Sequence, residues 1–415
     1  MMTSLFPAAL LALGPVAAAS PARPPAASHA VDAVAPAPAM KRQLDAAIDR
    51  AIAGHHIVGT VVLVAHNGRV VYARAAGLAD REARTPMRRD AIFLFASVSK
   101  PFVTTAAMRL AERGVISFDD PVTRYLPDFR PSLADGTRPV ITLGELATHR
   151  SGLGYGFEEQ GGIGPYNRLK VSDGLDQPGL SIDQNLHRLA EAPLRSAPGT
   201  QWRYSLGIDV LGAAMEAATG KTLGAIVAAE VTGPLSLRDT GFTVTDHQRL
   251  ATPYSNGKSA PRRMGPDTAM PLGGGLVRFT PARIDNPRSY QSGGAGMAGT
   301  ADDLMRFLEA IRRGGAPILS PASVAAMTRD QTGPQAATQG PGWGFGYGWA
   351  VLDDPAPTGT PQAAGTLQWG GVYGHSWFVD RKNRLTVVAL TNTTPEGMNG
   401  PFATAIRDAV YRRGK

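Results

Sequence analysis

Residues 57–77 read IVGTVVLVAH, Asn67-Gly68, RVVYARAAG: two apolar runs rich in β-branched residues that meet at a pair able to take positive φ. Such a pair suits a two-residue hairpin turn, so the stretch predicts two antiparallel strands near the start of the chain. A second antiparallel pair is predicted near the other end, where SWFVD (376–380) and RLTVVALTN (384–392) flank the charged turn Arg381-Lys382-Asn383. Helical spacing fills the rest. Leu44, Ala47, Ile48, Ala51 and Ile52 form one apolar face, and Val103, Ala106, Ala107, Leu110 and Ala111 another. Further faces are Leu211, Ala214, Met215 and Ala218, ended by Gly220, and Leu304, Phe307, Leu308 and Ile311 behind the N-cap Thr300. Phe402, Ala405, Ile406, Ala409 and Val410 make the last. Strands from both chain ends with helices between them predict an α+β fold, one antiparallel sheet closed by both ends of the chain with flanking helices. The expected α/β domain is 40–114 with 285–415, and the Pro- and Gly-rich segment 115–284 is an inserted, mostly helical domain.

Of the 415 residues, 43% are hydrophobic and 18% charged, a globular balance with ample material for a deep site. The net charge of +8 is scattered, its densest groupings being pairs such as Arg262-Arg263 and Arg312-Arg313. With no basic stripe and no interleaved aromatics, nucleic acid is not an expected partner. The absence of cysteine removes disulfides, thiol catalysis and thiolate metal sites together. LFPAALLALGPVAAAS (5–20) ends in Ala17-Ala18-Ala19, so residues 1–19 read as an export signal lacking the usual basic start, and a periplasmic or secreted location is expected. The stretch is too short and proline-broken to span a bilayer, and no membrane span is expected elsewhere. Residues 20–39, rich in Pro and Ala, read as a linker.

FLFASVSKPF (93–102) sets Ser97 and Lys100 three positions apart where a helix begins. That spacing puts both side chains on one side, with Pro101 inside the first turn, where its missing N–H costs little. A helix N-terminus would also offer free N–H groups to an oxyanion. A serine needs a base, and a lysine can accept a proton at neutral pH only where burial or another cation disfavours its charged form. The four residues alone fit a helix-capping serine beside a solvated lysine better than a catalytic pair. The competing chemistries find less support. There is no G-x-S-x-G elbow, and none of the histidines (29, 55, 56, 66, 149, 187, 247 and 375) forms an H-x-x-x-H pair, so no metal or other cofactor is expected.

FASVSK (95–100), LGELATHRSGL (143–153), PGTQWRYSLGIDVLG (198–212), SGGAGMAGTADDLMRF (292–307) and WGGVYGHSWFVD (369–380) occur in one order along the chain. Together they resemble the serine β-lactamase-like superfamily, and most of all its family VIII carboxylesterases, the esterase relatives of class C β-lactamases. The resemblance covers 41–412. It implies that Ser97 is an acylated nucleophile, that Lys100 and Tyr204 transfer its proton, and that the N–H groups of Ser97 and Val372 form the oxyanion hole.

Two departures from the β-lactamase pattern bear on substrate. Trp369-Gly370-Gly371 stands where Lys-Thr-Gly would bind a carboxylate, and Leu206 replaces the asparagine of Tyr-x-Asn. Both exchange polar recognition for apolar surface, so a small neutral ester is the expected partner, with a short acyl chain implied by the resemblance alone. Trp369, Gly370, Gly371, Leu206 and His375 are the expected substrate contacts, with a structural role also open to His375. His149 reads as structural. Trp343, Phe345, Tyr347 and Trp349 alternate with glycines as a strand with one aromatic face, either core or pocket wall. A β-lactamase or D,D-peptidase, an acyltransferase and a non-catalytic binding protein are the alternatives, and oligomeric state is not legible.

Overall fold

The computed structural model describes residues 37–411 apart from 258–259, 334–335 and 337. The expected export signal, 1–19, lies outside the described residues. Of the expected linker, 37–39 are described and form the first turn of helix α1, Ala37–Ala53. The apolar face begins one turn before Leu44, at the buried Met40, which explains the earlier start.

The hairpin strands are β1, Gly59–His66, and β2, Arg69–Asp80. Asn67 and Gly68 have φ of 55° and 80°, the positive values a tight hairpin turn demands. Pairing runs His66 to Arg69 and Ala65 to Val70, then shifts so that Val64 faces Tyr72. Val71 is thus bulged out of the ladder.

β1 lies deep within an eight-stranded antiparallel sheet. From one edge the order is Trp343–Phe345, Ala350–Leu352, Leu367–Gly371, His375–Asp380, Leu385–Thr391, β1, β2 and Thr85–Pro86. The two ends of the fold meet where Thr60 pairs with Thr391 and His66 with Leu385. Val61, Leu63 and Ala65 enter the core under helix α2 (Ser99–Glu112) and helix Ala301–Arg312, whereas Val62 and Val64 pack under α1 and the closing helix Pro401–Val410. Coverage on both faces is why β1 is continuously apolar instead of alternating. Each such side chain contributes about 1.5–3 kcal/mol by leaving water.

The inserted segment shares the sheet's core: Leu211 and Met215 of helix Gly207–Thr219 belong to one cluster with Val61 and Leu63. All described residues fall in a single compact unit. The segment also holds strands, including the hairpin Thr268–Leu272 and Gly275–Phe279. No helix among the described residues is long and apolar enough to cross a membrane.

Candidate active site

Strand Ile92–Leu94, paired antiparallel with Ala298–Thr300, leads into a 3₁₀ turn at Ala96–Val98, and α2 follows at once. Ala96 has φ 46°, a strained value for a residue with a side chain, and it sets the direction of Ser97. Pro101 is the third residue of α2, inside the first turn.

Ser97 Oγ lies 3.1 Å from Lys100 Nζ and 2.6 Å from the Tyr204 hydroxyl. Lys100 is only 1% exposed, and it also donates to the Gly294 carbonyl at 2.8 Å. Its Nζ sits 4.6 Å from the centre of the Tyr204 ring. That ring is held by His149, Tyr155 and Trp369 at centroid distances of 4.8, 5.0 and 5.4 Å. Lys100 from the same turn and Tyr204 from a distant part of the chain thus converge on the Ser97 hydroxyl. His149 Nδ1 accepts the Ser205 N–H at 3.2 Å, tying down the residue after Tyr204. Burial, then the charge of Lys100, hold the His149 imidazole well below its usual pKa, so it packs as a neutral ring.

Behind Lys100 stands Asp209, buried, accepting from Ser292 Oγ at 2.6 Å. Burial raises its pKa, opposed by the Ser292 hydrogen bond and by Lys100. Gly294 lies between the two side chains: a Cβ there would fall 2.6 Å from Asp209 Oδ2 and 3.4 Å from Lys100 Nζ. Only glycine leaves the Gly294 carbonyl room beside the lysine.

Ser97 opens into a cavity of about 530 Å³, within the range of small-molecule sites. Tyr155, Trp202, Tyr204, Trp369, Gly370 and Val372 line it beside Ser97. Phe345 stacks edge-on behind Trp369 at 5.2 Å, and Trp349 is core, its indole donating to the Met327 carbonyl. The expected single aromatic strand is instead a hairpin of Trp343–Phe345 and Ala350–Leu352, with Tyr347 and Trp349 in the connection, where Gly348 at φ 91° turns the chain; none of the four aromatics lines the cavity. Gly371 does not line the cavity. A Cβ there would lie 2.1 Å from the Phe95 carbonyl, so its lack of a side chain lets the strand end press against the Ser97 turn. Gly371→Ala is expected to cost about 1–3 kcal/mol by overpacking and to lower kcat more than it raises KM; denaturation midpoints and steady-state kinetics check this.

Two expected substrate contacts lie elsewhere. Leu206 is fully buried at the start of helix Gly207–Thr219 and does not line the cavity. His375 pairs across the ladder with Gly371, and its ring lies beneath the nucleophile turn, edge-on to Phe93 and Phe95, with Nε2 donating to the Leu94 carbonyl at 2.8 Å. Burial lowers its pKa to about 4. A depressed folded value means that, as pH falls from 6.5 toward 4, the unfolded chain takes up a proton which the folded one refuses. Stability attributable to His375 is therefore complete above about pH 6.5 and declines by up to about 3 kcal/mol at lower pH. Urea midpoints of the protein and of His375→Gln at pH 7 and pH 4.5 should converge as the pH falls; a constant gap would contradict the burial argument.

Tyr155 and Asp173 carry no motif, and Trp202 and Asp209 lie within the stretch 198–212 without being expected contacts, yet Tyr155, Trp202 and Asp173 line the cavity and Asp209 flanks Lys100. The Beta-lactamase family model matches residues 44–411, nearly the whole described fold. The chain belongs to the Beta-lactamase family. Within that family it is 54% identical over 381 residues to Esterase EstB of Burkholderia gladioli, covering 91% of this chain and 96% of the other. The solved structure of EstCE1, described as a hydrolase with promiscuous acyltransferase activity, superposes with a TM-score of 0.88 at 46% identity, covering 91% and 99% of the two chains. Unliganded simvastatin synthase (LovD) from Aspergillus terreus shares the fold at a TM-score of 0.70 and 22% identity, over 90% of this chain and 99% of that one. With such relatives this Beta-lactamase family member is a serine hydrolase.

Proposed function

We propose that the protein is a carboxylesterase acting on small esters that carry no carboxylate and have short acyl chains, through an acyl-enzyme on Ser97. The observation that carries this is Ser97 Oγ within hydrogen-bond reach of both Lys100 Nζ and the Tyr204 hydroxyl on the wall of a largely apolar cavity. Ser97 Oγ attacks the ester carbonyl carbon while its proton passes to the Tyr204 and Lys100 pair. The negative charge on the carbonyl oxygen falls to the N–H groups of Ser97 and Val372, the second in the turn just after Gly371, where the strand end meets the nucleophile turn. As the tetrahedral adduct collapses, the C–O bond to the alcohol breaks and the pair returns the proton to the departing alkoxide. Water, deprotonated by the same pair, then attacks the acyl carbon, the bond to Oγ breaks, and Ser97 regains its proton.

Trp369 disfavours an anionic substrate, because an indole offers no cation to a carboxylate. The identity to Esterase EstB supports the same reading. Hydrolysis of p-nitrophenyl butyrate should exceed that of a chromogenic cephalosporin by at least about 100-fold in kcat/KM, and the reverse order would overturn the proposal. A second reading is favoured by the likeness to EstCE1: an added alcohol competing with water for the same acyl-enzyme would appear as transfer product. Export rests on the apolar N-terminal stretch alone. N-terminal sequencing of protein recovered from the periplasm or medium tests it, with cleavage expected after Ala19.

A further inference from the structure

Tyr155 stands between two parts of the cavity wall: its ring lies 5.0 Å from Tyr204 on one side and 4.7 Å, stacked, from Phe157 on the other. Past Phe157 the wall is apolar, formed by Leu175, Leu272, Val277 and Ala295. One group breaks that pattern. Asp173 is the only acidic side chain among the described lining residues, and among the described residues it makes no ion pair. Its Oδ1 accepts the Gly156 N–H at 3.1 Å, which fixes the carboxyl beside the two rings.

An ionised carboxylate on an apolar wall is costly unless a cation completes it, and without one the group holds its proton. We propose that this corner is a subsite for an alkylammonium group, so that the favoured esters carry a cationic nitrogen held between Asp173 and the rings of Tyr155 and Phe157. Aromatic faces beside a carboxylate are a chemistry that suits quaternary ammonium. Burial raises the Asp173 pKa to about 8, and the acidic neighbours Asp176 and Asp209 push it the same way. The other ionisable groups near the corner are Lys100, its Nζ 5.5 Å from the Tyr155 ring centre, and Asp209 beside it, while Arg407 lines the same cavity. A raised carboxyl is neutral below about pH 8 and charged above, so selection for a cation strengthens as pH rises. The inference rests on the esterase reading and names its substrate class.

The test compares butyrylcholine with 3,3-dimethylbutyl butyrate, which differ only by a quaternary nitrogen in place of carbon, so neither substrate titrates. At pH 9 the kcat/KM ratio should favour the choline ester about tenfold, mostly through KM, and should fall toward one at pH 6 and in Asp173→Asn at both pH values. A ratio of one or less at pH 9, or one unchanged by Asp173→Asn, overturns the subsite while leaving the esterase reading in place. If Asp173→Asn does not fold, the unsubstituted protein decides alone, and a ratio flat from pH 6 to pH 9 overturns it. If neither ester is hydrolysed, the esterase reading fails instead. Calorimetry with tetramethylammonium at pH 9 then decides the subsite: binding that weakens at pH 6 upholds it, and no binding overturns it.

Discussion

Lys100→Met lowers kcat/KM for p-nitrophenyl butyrate by about 10⁴-fold, the upper end of what a positioned proton acceptor contributes. Methionine nearly preserves the volume of a side chain that is 1% exposed, so the loss is chemical and not a collapse of the site. The fold still pays something, because the Gly294 carbonyl loses its 2.8 Å donor and a buried unsatisfied carbonyl costs about 1–3 kcal/mol. Lys100→Arg does not rescue, since a guanidinium does not release its proton at any working pH. Thermal midpoints measured alongside the kinetics separate the two effects. A Lys100→Met variant with more than a tenth of the normal kcat would remove the lysine from the proton path.

Tyr204→Phe is the second large effect. It deletes the hydroxyl 2.6 Å from Ser97 Oγ and keeps the ring packed between His149, Tyr155 and Trp369. The expected loss in kcat is about 10²- to 10⁴-fold, with less than about 1 kcal/mol change in stability. Because the same hydroxyl serves the water step, acyl-enzyme should accumulate as a burst of p-nitrophenolate followed by a slow steady state. Unchanged kcat would assign the phenol to packing alone.

The hairpin at 57–77 was readable because Asn67-Gly68 is a local signal that tertiary context did not override. The nucleophile was readable for a similar reason: three residues of spacing at a helix start are enough to bring Lys100 beside Ser97. Tyr204 needed the resemblance, since nothing in residues 198–212 alone says that its ring crosses to α2. Leu206 and His375 show where adjacency in sequence misleads. Leu206 turns into the core two residues after Tyr204, and His375 lies opposite Gly371 beneath the nucleophile turn. Tyr155 and Asp173 come from irregular segments that carry no periodicity, so their meeting at Gly156 could not be inferred before the loops were folded. The strands at 268–279 escaped for lack of length: five residues each around Gly273-Gly274 give a pattern too short to register.

One hydroxyl, made reactive by a buried amine and a phenol, carries the acyl group. Rapid quenching of the protein with p-nitrophenyl butyrate, followed by peptide mass mapping, reads this directly. One butyryl group is expected on the peptide holding Ser97, formed quickly in the unsubstituted protein and about 10⁴-fold more slowly in Lys100→Met. A butyryl group on any other residue, or equal acylation rates in the two proteins, would contradict it.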